Sequence, residues 1–392
     1  MSNEYPDDEI LKDNEEILED IAPFDTSSIV VYSRDWTIET MYSQIMGKNI
    51  NLNPKYQRRN AWTDQKRSQL IESIIIGYPV PEIVLAEDPI QKKSFAVIDG
   101  KQRLLTIAGF INPKEFGYWD NGGKLTKLFV KEKLNGLTFD DLKGDEKYSD
   151  ELREFFNSAL RCTIITNFQA NDILYDIFYR LNSGSVSLST QELRQVLNRG
   201  EFADYLIETT NTPQSLHLIM NLTEPDKRLR DIEVLLRCIS MIEFSISYNG
   251  NLKQFLDNTM GEITRNWKTT YEQKLKELYS AINDSIEVLK AIFEDYNQIG
   301  RKFTNGKAEA RFNRVILEVQ LFFFVHLDRS LINADTIGKF RSAFINLCQE
   351  DKEFRSSVES STKNIDNYRI RFGKFQELMN QSFGANLEIN PF

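Results

Sequence analysis

Cysteine is scarce in this 392-residue chain. Cys162, Cys238 and Cys348 lie far apart with no paired spacing, which excludes a disulfide framework and suggests free buried thiols in a reducing compartment. Histidine is scarcer still, with only His217 and His326. Three scattered cysteines and two distant histidines furnish no tetrahedral set, so no structural zinc is expected. Long apolar runs are also missing. The longest, Val319 to Leu327, is interrupted by Gln320 and His326 and is too short to span a bilayer. The N-terminus is acidic and has no apolar core, so no secretory signal is expected. These absences together predict a soluble, cytoplasmic protein without membrane contact.

What is present is ordinary globular material: 41% apolar residues, 11% aromatic, with 26 Phe and 15 Tyr. The length allows two or three cores. Formal net charge is −10, but residues 1–20 hold nine acids against the single base Lys12, which accounts for −8 and leaves −2. The body is therefore near neutral, which argues against a broad nucleic-acid footprint and leaves room for a local basic cleft. Residues 1–24 read as a mobile, solvated acidic arm.

Strand and helix signals alternate through the first half. Ser28–Ser33 reads as a strand through Ile29, Val30, Val31 and Tyr32. Thr37 is an N-cap for a helix over Ile38–Met46 that Gly47 ends. Ile50–Leu52 is a short strand, and Thr63 caps a helix over Asp64–Ile76 with the apolar stripe Leu70, Ile71, Ile74 and Ile75. Ile83–Leu85 and Phe95–Ile98 read as paired strands. Residues 112–150 are polar and rich in Gly and Lys, and no element is assigned there. Cys162–Phe168 is a further strand, and Ile173–Leu181 a helix. Ser189-Thr-Gln-Glu192 is a capping box that opens another helix.

From about residue 196 the strand pattern disappears. Asp231–Phe244, Asn251–Met260, Ile263–Ile299, Ala308–Leu327, Asp335–Cys348 and Ile365–Met379 read as helices, with a break at residues 300–306. The expectation is an α+β protein with three parts: the arm at 1–24, a small mixed α/β domain over 25–200, and an all-helical domain over 201–392. His326, with Val319, Phe322 and Phe323 at helical spacing, is most simply core.

Phe95 to Ile107 stands out. The apolar run Phe95–Ile98 breaks at Asp99-Gly100 and resumes at Leu104 and Leu105 with helical spacing. Asp99-Gly100 then sits at a strand-to-helix turn, with Lys101, Gln102 and Arg103 in the first helical turn. The first N–H groups of a helix lack internal partners and attract anions, and Lys101 and Arg103 add charge. Gly100 permits close backbone approach, and Asp99 suits a metal ion or an oriented water. A plain turn, with Asp99 as cap and Arg103 in a structural ion pair, accounts for the same residues.

Two further stretches end elements with polar residues: Tyr56-Gln57-Arg58 with Trp62, and Arg180-Leu181-Asn182 with Glu192-Leu193-Arg194. In this order with Asp99-Gly-Lys-Gln-Arg103, they resemble the ParB/sulfiredoxin-like family typified by the N-terminal domain of GmrSD-type modification-dependent restriction enzymes, often named after its Asp-Gly-Gln-Gln-Arg motif. The resemblance covers roughly residues 28–200. It departs at Lys101, where the motif has a neutral amide. It implies nucleotide binding, nucleoside triphosphate hydrolysis in several members, a Mg2+ cofactor and a role in restriction or anti-phage defence. Many members carry a second nuclease half of the HNH type, which needs closely placed His, Asp and Asn groups. His217 and His326 do not supply them, so the nuclease half is expected on another chain or not at all.

On the first reading, Asp99, Gln102 and Arg103 are catalytic, with Asp99 holding the metal. Gln57, Arg58, Gly100, Lys101 and Asn182 bind the nucleotide, and Gln57, Arg58, Asp99–Arg103 and Asn182 share one cleft. The second reading is a DNA-binding module without turnover, using Lys55, Arg58, Arg59, Lys66 and Arg67, with Trp62 either stacking on a base or filling the core. The third is a DNA-nicking nuclease that uses Asp99. The partners these readings admit are a nucleoside triphosphate, DNA, and a nuclease or methyltransferase on another chain.

Overall fold

The computed structural model describes residues 28–50, 52, 62–89, 91–168, 171–181, 189–360 and 362–392, with residues 171, 172 and 179 described by backbone alone. They fall into two compact units divided between Leu197 and Asn198. The fold is α+β as expected, with a small mixed sheet in the first unit and helices in the second.

In the first unit four strands form one sheet: β1 Val30–Thr37, β2 Ile83–Glu87, β3 Phe95–Asp99 and β4 Ala159–Thr166, in the order β1-β4-β2-β3. β1 pairs with β4 and β2 with β3 antiparallel, whereas β2 and β4 run parallel. β2 and β3 are buried on both faces, which is why they read as short continuous apolar runs rather than as alternation. Ile83, Leu85, Phe95, Val97, Cys162 and Ile164 face one core. Val84, Ala86, Ala96, Ile98 and Ile165 face the other. β4 begins before the sequence signal does, because its register against β1 extends to Thr37 opposite Ala159.

The first core is covered by α1 Ile38–Met46, α2 Asp64–Ile75 and α3 Lys101–Ile111. Thr37 and Thr63 cap α1 and α2 with their side chains, as their positions suggested. The second core lies under α7 Asn171–Leu181 and α8 Thr190–Leu197, numbered after α4 Pro113–Phe116, α5 Phe139–Gly144 and α6 Ser149–Asn157. The Ser189–Glu192 capping box forms: the Ser189 amide donates to Glu192 Oε2 at 2.6 Å, and the Glu192 amide to Ser189 Oγ at 3.1 Å.

Residues 112–150, assigned no element from sequence, carry α4, α5 and the start of α6. Their sparse apolar residues, among them Tyr118, Trp119, Leu125, Leu134, Phe139 and Leu142, all enter the first core. Glu72 of α2 organises this stretch. Its buried carboxylate accepts from three successive backbone N–H groups, those of Phe129 (3.4 Å), Val130 (2.8 Å) and Lys131 (2.7 Å).

The second unit is helical: α9 Glu201–Thr209, α10 Ser215–Ile219, α11 Arg230–Phe244, α12 Leu252–Arg265, α13 Glu272–Phe293, α14 Arg314–His326, α15 Ala334–Glu350, α16 Lys352–Glu359 and α17 Ile365–Phe383. It also holds a short ribbon, β5 Phe303–Thr304 against β6 Lys307–Ala308, which lies over the expected break at 300–306 and takes Ala308 from the helix expected to start there. The single helix expected over Ile263–Ile299 is divided by a π turn at Trp267–Tyr271, which seats the buried Trp267 against Phe202 and Tyr205. The three cysteines are free and buried, and burial pushes the Cys162 thiol up to about 12. Among the described residues, no helix is long and apolar enough to cross a membrane.

Buried charges in this unit have partners. Arg237 Nε donates to Glu318 Oε1 at 2.5 Å, and the Tyr368 hydroxyl donates to Glu318 Oε2 at 3.0 Å. Asp226 accepts from Arg230 Nε at 3.0 Å and Nη2 at 2.6 Å, and from the Arg228 amide at 2.9 Å. Burial pushes the Asp226 carboxyl up, but the Arg230 guanidinium and the amides outweigh it and hold it below its ordinary value.

Two predictions follow from this packing. Glu72→Ala leaves three inward backbone donors without their acceptor, and should cost about 2–4 kcal/mol, read as a lower urea midpoint and faster proteolysis near Val130. A wild-type midpoint here would refute the anchoring role. Asp226 has a depressed folded pKa, so its contribution is present above the unfolded value of about 3.9 and is lost as pH falls through the folded one. The stability gap between wild type and Asp226→Asn should therefore be widest near neutral pH and should shrink below about pH 4. A gap independent of pH would contradict this.

Candidate functional site

The distinctive turn lies where β3 hands over to α3. The pairing of β2 with β3 is irregular at this point: Val84 faces Asp99 and Leu85 faces Val97, so Ile98 is the extra residue of a bulge. Bulges re-aim the side chains that follow, and here the one re-aimed is Asp99. Gly100 then takes a left-handed conformation, φ +93°. A Cβ at this position would also stand 2.4 Å from Ile83 Cδ1. Only glycine satisfies both constraints.

As the N-cap of α3, Gly100 supplies no side-chain acceptor. α3 thus starts without the hydroxyl cap that α1 and α2 have, and its first N–H groups keep their capacity for an anion.

The motif side chains take separate directions. Arg103 Nη2 donates to Asp99 Oδ2 at 2.7 Å and to the Glu82 backbone carbonyl at 2.9 Å. It joins the end of β3 to the residue before β2. Asp99 does not cap α3; it is the i−4 partner of Arg103. Lys101 is buried beside Glu192. Burial lowers its pKa, and the Glu192 charge works in the opposite direction. Gln102 is half-buried, and its Oε1 accepts from the Tyr118 hydroxyl.

Tyr118 brings in α2. It is fully buried under the Arg67 guanidinium, which lies 4.4 Å from the ring centroid. Arg67 is itself wholly buried and ion-paired to Asp64 and, at 3.3 Å, to Asp120. This corrects its place in an exposed DNA-facing cluster: it belongs to the interior. Lys66, its neighbour, lies 4.5 Å from the centroid of Trp62, which packs partly buried against the first core. Burial raises the Tyr118 phenol, and the charge and hydrogen bonding of Arg67 pull it back. The first turns of α2 and α3 are therefore linked through Arg67, Tyr118 and Gln102, and the charge of Glu192 at the start of α8 acts on Lys101.

Of the residues expected to share this site, Asp99–Arg103 are placed as described, and Glu192 comes to Lys101. Lys55, Gln57, Arg58, Arg59 and Asn182, with the acidic arm, lie outside the described residues. Tyr118 and Asp120 were missed because they lie in the stretch that carries no periodic signal. Among the described residues, no group of three or more His, Cys, Asp or Glu side chains is arranged to hold a metal ion. His217 pairs with Asp231 at 2.9 Å, and His326 Nδ1 lies 2.7 Å from the Phe322 carbonyl.

With this geometry in view, the chain can be set beside known families. Residues 38–197 match the family model described as GmrSD restriction endonuclease, N-terminal domain. The match bears out, over that stretch, the resemblance drawn from the motifs, and it ends where the first unit ends. No curated protein and no solved structure matches the chain.

Gly100→Ala should destabilise the first unit by about 2–4 kcal/mol, combining left-handed strain with the clash on Ile83. Adding Ile83→Val removes the clashing methyl and should restore part of the loss. Equal melting temperatures for the single and double variants would show that sterics at Ile83 play no part.

Proposed function

We propose that residues 38–197 form a nucleotide-binding regulatory module of a restriction or anti-phage defence system. The observation that carries this reading is the start of α3: a glycine N-cap at a strand end, no side-chain cap, and Lys101 and Gln102 in the first turn. The similarity of the segment to the GmrSD N-terminal domain supports the defence context. Phosphate oxygens would meet the first N–H groups of α3, the Lys101 ammonium and the Gln102 amide.

Arg103 holds Asp99 and the Glu82 carbonyl in this arrangement, so its role in the proposal is to orient Asp99 rather than to clamp phosphate. Nucleoside triphosphate hydrolysis is part of the proposal. Asp99 would orient the attacking water, and the cationic first turn would stabilise developing charge.

Mg2+ fits here in one way. With a single carboxylate at the turn, already bonded to Arg103, the described residues make no cage of their own. An ion carried on the phosphates needs only one or two carboxylate oxygens, and Asp99 can supply one. Magnesium would neutralise phosphate charge when bound.

Both histidines are committed to internal partners, so the proposal places any nuclease or methyltransferase activity on another chain. DNA is proposed as the effector, and Lys66 beside Trp62 is the described part of the basic cluster that would face it.

The test is titration calorimetry of ATP and GTP with magnesium, with thermal melts and phosphate-release assays with and without DNA. The wild type should bind. Lys101→Met should weaken binding roughly ten- to a hundredfold, the range of a lost charged hydrogen bond. Arg103→Ala should lower the melting temperature as well, since it releases a strand end. Failure of the wild type to bind either nucleotide at millimolar concentration would sink the proposal. Binding without phosphate release would remove the hydrolytic part alone.

A further inference from the structure

Gln102 is the neutral side chain at the head of α3, and two buried residues outside the motif govern how it points. The Arg67 guanidinium is fixed between Asp64 and Asp120. Asp64 also accepts from the backbone amides of Asp120 (3.3 Å) and Asn121 (3.0 Å), which ties the segment after Tyr118 to the first turn of α2. Trp119 Nε1 donates to the Thr106 carbonyl at 3.1 Å, which ties the same segment to α3. Gly109 makes room for it: a Cβ there would stand 3.0 Å from Tyr118 Cβ and 3.1 Å from Trp119 Cδ1. Tyr118 is thus held from both sides and is fully buried.

The polarity of the resulting chain follows from its members. A guanidinium has donors only. Arg67 donates through Nη1 to Asp64 and Asp120 and lies over the phenol ring, so nothing on it can accept the Tyr118 proton. The Tyr118 hydroxyl is left to give its proton to Gln102 Oε1. With that oxygen engaged by Tyr118, the NH2 is the branch of the amide left to meet a ligand.

We infer that Gln102 meets its ligand as an N–H donor to an anionic oxygen, and that Arg67 and Tyr118 are positioning residues that set this orientation. The inference rests on the proposed nucleotide-binding reading and assigns to that site a recognition chemistry, phosphate oxygen rather than an ammonium or a donor edge of a base. It also gives the buried Arg67 a purpose that a DNA-facing cation would not have.

The experiment is a double-mutant cycle on the full chain, with Tyr118→Phe, Gln102→Ala and the pair together. Affinity for ATP and for inorganic tripolyphosphate is measured by calorimetry, and folding by thermal melts. Tyr118→Phe keeps the buried ring and removes only the hydroxyl. It should weaken both ligands roughly three- to tenfold. In the Gln102→Ala background it should cause no further loss, because the group it orients is gone. Gln102→Glu, which can only accept when ionised, should bind both ligands more weakly than Gln102→Ala.

A merely structural hydroxyl gives a different pattern: Tyr118→Phe lowers the melting temperature while sparing affinity, or adds its effect to that of Gln102→Ala in full. Either of these overturns the inference while leaving nucleotide binding standing, as does wild-type affinity in Gln102→Glu. A wild type that binds neither ATP nor tripolyphosphate overturns the inference and the proposed function together.

Discussion

One Arg103 nitrogen donates to both the Asp99 carboxylate and the Glu82 carbonyl, and the geometry of the turn hangs on those two hydrogen bonds. Glu82 precedes β2 and Asp99 ends β3, so the guanidinium spans the open end of an antiparallel pair just where a bulge interrupts it. The bulge turns Asp99 toward Arg103. The left-handed Gly100 lets the chain reverse into α3 without striking Ile83. Were any of the three to fail, α3 would start elsewhere and its first N–H groups would face another direction. The local departure from regular structure is compensated by the two cores that clamp the sheet from both faces.

Around this turn the fold sets each cation against a carboxylate: Arg103 against Asp99, Lys101 near Glu192, and Arg67 against Asp64 and Asp120. Lys101 is buried, which lowers its pKa against the opposing charge of Glu192, and Arg67 is buried and ion-paired to Asp64 and Asp120. An arrangement of this kind is specific and costly. Each cation is held in one place, and removal of an acidic neighbour would leave an uncompensated charge. The same logic recurs in the helical unit, where Glu318 joins Arg237 and Tyr368. There it links helices α11, α14 and α17.

The stretch between α3 and β4 shows how a weakly patterned segment becomes structure. It reads as polar, yet it delivers Tyr118, Trp119, Leu134 and Phe139 to the main core and orients Gln102. Its backbone is held by side chains from elsewhere, namely Asp64 and Glu72 of α2. A segment built in this way needs no internal periodicity, since Asp64 and Glu72, which hold its backbone, are more than fifty residues away.

Local chemistry was enough to place the threonine caps at Thr37 and Thr63, the Ser189–Glu192 box, the buried strands of the sheet and the Asp99-Gly100 turn. In each case the determinant is a contact within four residues or an apolar run of fixed period. The helix over Ile263–Ile299 was legible as helical but not as broken, because the π turn exists to seat Trp267 against α9, a contact remote in sequence. Arg67 shows the limit most clearly. In sequence it is one base in a basic cluster, although Leu70 and Ile71 at i+3 and i+4 put it in line with the apolar stripe of α2. Only tertiary structure brings Asp120 and Tyr118 over it and makes an apparent surface charge an interior one. The sequence by itself determined where the turn lies and which residues begin α3. The fold decided which way those residues point, because that depends on partners supplied by α2, α8 and the loop after α3.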